Sequence, residues 1–88
     1  NDNMALGAIQ ALEDAGMNDV VVVGFDATPD AATSILAGKL TATIAQFSYN
    51  MGAYGVKYAL ALAKGEKIDA NIDTGTQLVT KENANDFK

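Results

Sequence analysis

Four consecutive valines, Val20 to Val23, run directly into Gly24-Phe25-Asp26-Ala27-Thr28-Pro29-Asp30. A strand with one wet face alternates apolar and polar residues, so an unbroken valine run predicts a strand buried on both faces. Thr28-Pro29 is a helix start: a hydroxyl to cap the first turn, then a ring whose fixed φ and missing N–H suit the first helical position. Asp26 is therefore expected at the carboxyl end of a buried strand, immediately before a helix. In open α/β sheets ligands bind beyond such strand ends. Taken alone, the local pattern favours a turn-shaping role for Asp26 over a ligand contact.

The rest of the chain alternates in type. Met4, Ala5, Ala8, Ile9, Ala11, Leu12 and Ala15 recur at helical spacing, with Asn1 or Asp2 as cap and Gly16 as terminator. Ala31, Ala32, Ile35 and Leu36 mark a short helix ending at Gly38, with Asp30 favourably placed in its first turn. Leu40 to Ala45 is a strand by residue type, Leu40, Ala42 and Ile44 alternating with threonines and Ala45. Ser48 opens the longest helix, to about Lys64, and Gly65 stops it. Gly52 and Gly55 inside that helix imply close approach of another backbone. Tyr54 and Tyr58 are spaced to form an aromatic pair. Ile72 to Thr80 is extended in type, and the polar Lys81 to Lys88 is expected to fray.

Alternating helices and strands imply an α/β fold with parallel strands and right-handed crossovers. With 88 residues there is room for at most one small domain, burying about 60–65 % of its unfolded surface. Two clear strands cannot make a sheet covered on both faces. The valine run wants neighbours on both edges, which predicts a piece of a larger α/β protein.

Composition removes several kinds of chemistry. Cysteine is absent, so no disulfide or thiolate metal site is available, and histidine is absent, which removes the usual general base and commonest metal ligand. The formal net charge of −5 argues against a nucleic-acid partner. No apolar run of roughly 18 residues suggests membrane insertion. Ser34 and Ser48 have no base to activate them, and Gly52-Ala53-Tyr54-Gly55 lies within a helix rather than at a phosphate-binding turn. Asp26, Asp30, Asp69 and Asp73 lack calcium-loop spacing. An Asp26–Asp30 carboxylate pair for glycoside hydrolysis is outweighed by the dipole role of Asp30. No enzyme activity, cofactor or metal is expected.

What remains is a polar set at element ends: Asn1 before the first helix, Asp26 after the valine strand and Gln46 after the second strand. One carboxylate and two carboxamides combine acceptors and donors, as sugar hydroxyls require. Singly, Asn1 reads first as a cap and Gln46 as a surface amide. Their common placement at one sheet edge makes them ligand candidates.

Four segments in order resemble a known family. Asn1-Asp2-Asn3-Met4-Ala5-Leu6-Gly7-Ala8, Val22-Val23-Gly24-Phe25-Asp26-Ala27-Thr28-Pro29-Asp30, Leu40-Thr41-Ala42-Thr43-Ile44-Ala45-Gln46 and Lys64-Gly65-Glu66-Lys67-Ile68 are similar to the last third of type I periplasmic sugar-binding proteins, the ribose-binding branch in particular. The likeness runs to about Glu82. It implies a two-lobed α/β receptor that closes on a monosaccharide, ribose or similar, and delivers it to an ABC transporter permease, in the periplasm or at the extracellular membrane surface of a bacterial cell. Asn1, Asp26 and Gln46 match positions that contact the sugar in that family.

The resemblance further implies an organisation: residues 1–46 as the second half of the C-terminal lobe, 47–75 as a helix and extended segment packing in the N-terminal lobe, and 76–88 as the return crossover and tail. The aromatics that would sandwich a sugar ring and the arginines that would pair with Asp26 are not in this stretch. The expected partner is accordingly the complementary N-terminal part of the same protein as a second chain, and the 88 residues alone are expected to bind sugar poorly. Two further readings share the pattern: the effector-binding core of a LacI-type transcription regulator, and a receptor for a sugar-like signal. Regulators of that type more often carry a second acidic residue directly after Gly-Phe-Asp. Here Ala27-Thr28-Pro29 follows, which favours transport.

Overall fold

The computed structural model describes residues 1–88. The elements follow in the order α1 (Asp2–Asp14), β1 (Val23–Phe25), α2 (Pro29–Leu36), β2 (Ala42–Gln46), α3 (Ser48–Ala63), β3 (Thr76–Val79) and a closing 3₁₀ turn (Ala84–Phe87). The chain divides into two compact units, one of residues 1–45 with 77–88, the other of residues 46–76.

In the first unit the local signals act as read. Asn1 caps α1, its Oδ1 accepting from the Met4 amide at 3.0 Å. Thr28 caps α2 through Oγ1, which accepts from the Ala31 amide at 3.2 Å, and Pro29 is the first helical residue. Gly16 and Gly38 follow α1 and α2 with φ of 71° and 80°, the left-handed geometry that glycine adopts without a Cβ penalty. Strand β2 lies between β1 and β3, and β1 runs parallel to it with Val23, Gly24 and Phe25 opposite Ala42, Thr43 and Ile44. The core gathers Ala5 and Ile9 from α1, Ala31, Ala32 and Ile35 from α2, and Leu40, Ala45, Val79 and Ala84.

Three expectations need correction. The valine strand is displaced: regular pairing covers Val23–Phe25, not Val20–Val23. Val22 makes the first contacts, donating to Thr41 Oγ1 at 3.3 Å and accepting from the Thr41 amide at 3.1 Å. Val20 and Val21 precede any residue that β2 offers as a partner. Val21 is 71 % exposed and Val23 54 %, because this chain gives β1 a single neighbour. The further cover that the valine run calls for is not supplied by these 88 residues, in keeping with a piece of a larger α/β protein.

Strand β2 starts later than expected and is enclosed on both faces where it begins. Ala42 and Thr43 are adjacent, so their side chains point to opposite faces, yet both are buried. Regular pairing of β2 begins at Ala42 rather than Leu40, although Leu40 is itself in the core.

The tail is folded rather than frayed. Asn83 Oδ1 accepts from the Thr80 amide at 2.8 Å while its Nδ2 donates to the Leu78 carbonyl at 3.0 Å. This clasp starts the 3₁₀ turn, which packs on α2, with Ala84 fully buried and Phe87 half-buried against the core.

The second unit is built on α3. Phe47 occupies its cap position without a side-chain cap bond, so Ser48 is the first helical residue. No α3 residue is buried; Met51, Tyr54, Val56, Leu60 and Leu62 are all exposed. The positions above Gly52 and Gly55 are open, so the close backbone expected there is not supplied by this chain. Tyr54 and Tyr58 pair edge to face, ring centres 6.1 Å apart. Gly75 has φ of 78°, its amide donates to Asp73 Oδ1 at 2.7 Å, and the Phe47 ring covers it. No helix is long and apolar enough to cross a membrane.

Candidate functional site

The segment leaving β1, residues 26–28, is a turn of unusual backbone geometry. Asp26 and Ala27 are its two non-glycine residues of positive φ, 125° and 59°. Such conformations persist where surrounding structure over-determines them, and they concentrate at ligand-binding positions. Here three consecutive amides are held. Asp26 N–H donates to the Ile44 carbonyl at 2.8 Å, Ala27 N–H to Thr43 Oγ1 at 3.3 Å, and Thr28 N–H to Asp2 Oδ2 at 2.7 Å.

The loop is thus held by its backbone, not by the carboxylate of Asp26, which is exposed at the carboxyl end of β1. Such a carboxylate, on a backbone that cannot drift, offers fixed acceptors to a hydroxyl-bearing ligand. Asn1, in the same unit, commits Oδ1 to capping α1 and keeps Nδ2 as a donor. Gln46 is exposed, ends β2 and opens the second unit. The structure thus places Asn1 and Asp26 in one compact unit and Gln46 in the other.

Two residues that sequence reasoning passed over supply the support. Asp2, read only as an alternative cap, is fully buried, and Thr43, read only as one of the residues alternating along the second strand, is fully buried beside it. Thr43 Oγ1 donates to Asp2 Oδ1 at 2.6 Å. The available signals were an acidic residue at the very start of an apolar helix and Gly24 interrupting a β-branched run. A Cβ on Gly24 would overlap the Asp2 carboxylate, so glycine is needed there for close approach.

The family model for "periplasmic binding protein domain" matches residues 1–67, and the chain belongs to that family. The ribose import binding protein RbsB of Escherichia coli K12 is 51 % identical over 82 residues, which are 93 % of this chain and 28 % of that protein. A solved periplasmic solute-binding protein of an ABC transporter from Actinobacillus succinogenes, with D-allose bound, superposes with a TM-score of 0.87 at 33 % identity, over 99 % of this chain and 31 % of that one. One from Bacillus halodurans, with myo-inositol bound, gives a TM-score of 0.80 at 47 % identity, over 99 % of this chain and 30 % of that one. The fold is therefore part of a ribose-binding-like, type I periplasmic binding protein. The chain spans under a third of the length of the relatives it matches.

Proposed function

We propose that this chain contributes one part of a sugar-binding protein of an ABC importer, a receptor without enzymatic activity. Asn1, Asp26 and Gln46 contact a monosaccharide, ribose or a similar sugar, which the closed protein delivers to the membrane permease from the outer side of the cytoplasmic membrane. The observation that carries this reading is the pinned Asp26 turn: a positive-φ residue fixed through three backbone amides while its carboxylate stays exposed. The proteins it is similar to are named for ribose import or were solved with D-allose or myo-inositol, which supports a hydroxyl-rich ligand.

In this reading residues 1–46 belong to the C-terminal lobe, 47–75 pack in the N-terminal lobe and 76–88 cross back. The division of the chain near Gln46 and Thr76 supports that arrangement. The exposed valines of the β1 edge and the uncovered α3 then meet the complementary N-terminal part of the protein, read from the sequence as a second chain. Closure around the ligand draws on hydrogen bonds from both lobes.

Titration calorimetry of the full-length protein with D-ribose, D-allose and myo-inositol tests this. Binding of at least one is expected, and Asp26→Ala should remove most of it, since each charged hydrogen bond contributes about 1.5–3 kcal/mol. Unchanged affinity in that variant would reduce Asp26 to a turn residue. The 88-residue chain alone should bind none of the three appreciably.

A further inference from the structure

We infer that Asp2 is a positioning residue for the ligand-facing Asp26 loop, acting through the hydroxyl of Thr43. The inference rests on the sugar-binding reading of Asp26 and deepens it.

Asp2 is fully buried, and each carboxylate oxygen is used. Oδ2 accepts from the Thr28 amide at 2.7 Å, and Oδ1 accepts from Thr43 Oγ1 at 2.6 Å, the length of a charge-assisted bond. The Ala27 amide can only donate, so Thr43 Oγ1 accepts from it and its own proton goes to Asp2 Oδ1. The lone pairs of Oγ1 are then left facing Ala27, whose amide donates to it at 3.3 Å. One carboxylate therefore sets the amides of Ala27 and Thr28, one through a hydroxyl relay and one directly. These are the two residues following Asp26, and with the Asp26–Ile44 bond they close off the freedom of a backbone at φ of 125° and 59°.

The placement of Asp2 exceeds what anchoring α1 requires. A helix start needs a cap, and Asn1 supplies it. Asp2 instead reaches across β1, where Gly24 leaves room for it, to the third residue of a distant turn. Its negative charge lies in the first turn of α1 and at the entry of α2, where both helix dipoles favour it. Replacing the carboxylate by an amide of the same shape puts a donor against Thr43 Oγ1 and takes away the acceptor of its hydroxyl proton, which weakens the relay.

The test uses the full-length protein carrying this chain, with D-ribose as probe. Asp2→Asn and Thr43→Val are compared with the hydroxyl-conserving Thr43→Ser by calorimetry and by amide hydrogen exchange at Ala27 and Thr28. Both disruptive variants should exchange about ten-fold faster at those amides and bind ribose about ten-fold more weakly, the scale of one lost buried bond. Thr43→Ser should match the parent in both. A purely structural role for Asp2 predicts lower global stability with loop protection and affinity retained in the folded fraction, and that result overturns the inference. If Asp2→Asn does not fold, the Thr43→Val against Thr43→Ser contrast decides on the same criteria. A parent protein that binds no ribose refutes the ligand assignment and not the positioning, which the exchange comparison then judges alone.

Discussion

The amide of Asp26 donates to the carbonyl of Ile44 across 2.8 Å, so the parallel ladder that pairs Phe25 with Ile44 continues one step into a residue whose φ is 125°. The ladder demands the bond and the turn demands the dihedral, and Asp26 satisfies both at a cost. Glycine would satisfy both without one, so Asp26→Gly should stabilise the protein by up to about 1 kcal/mol. The same change removes the exposed carboxylate, and ribose affinity should fall by at least about ten-fold. Urea denaturation and calorimetry on one preparation check the two halves. A variant less stable than its parent would mean that the carboxylate itself holds the turn.

Gly24 is the counterpart beneath the loop. A Cβ there meets the Asp2 carboxylate and lies 3.4 Å from the Ala5 methyl. Asp2 is a short, fully buried side chain bonded at both oxygens, so it cannot yield without releasing Thr28 or Thr43. Gly24→Ala should destabilise by about 1–3 kcal/mol, the usual range for overpacking. Thermal or urea unfolding reads the loss directly. Gly7, whose outward position is open, provides the matched control: Gly7→Ala within α1 should stabilise by about 0.5–1 kcal/mol.

The parts of this fold legible in the sequence are those governed by neighbours along the chain. Capping by Asn1 and Thr28, Pro29 at a first helical position and the glycines after α1 and α2 all depend on residues a few positions apart. What was not legible depends on distant pairs. Val20 and Val21 look like a buried strand, but their cover depends on segments distant along the chain, and these 88 residues give β1 one neighbour. Thr43 shows no local sign of its role because its bonds go to Asp2, 41 residues away, and to Ala27. Asp26 was placed at its strand end correctly. The network that fixes it could not be read from sequence, because it passes through two residues that look ordinary in isolation.

The tail illustrates the same point with an energetic consequence. Lys81 to Lys88 is polar enough to predict fraying, yet Ala84 is fully buried beside α2. It belongs to the same core cluster as Ile35 and Val79, which are themselves almost wholly enclosed. Ala84→Asp places an unpaired carboxylate there and should cost several kcal/mol, or raise the pKa of the new group until it is neutral. Loss of the cooperative unfolding transition at neutral pH, with partial recovery in acid, is the expected signature. Substitution at the neighbouring exposed Asp86 should change stability by less than about 0.5 kcal/mol.

Asn1 carries two roles that substitution can separate. Its Oδ1 caps α1 through the Met4 amide, and its Nδ2 is the donor left for the sugar contact proposed for it. Asn1→Asp keeps a capping oxygen and favours the positive end of the helix dipole, so stability should hold or rise slightly. It replaces the donor with a second acceptor, so ribose affinity should still fall. Asn1→Ala removes both functions and should lose about 1 kcal/mol of stability together with affinity. Comparing unfolding midpoints with calorimetric affinities across the two variants isolates the donor. If Asn1→Asp retains full affinity, Asn1 acts only as a cap, and the ligand set in this chain contracts to Asp26 and Gln46.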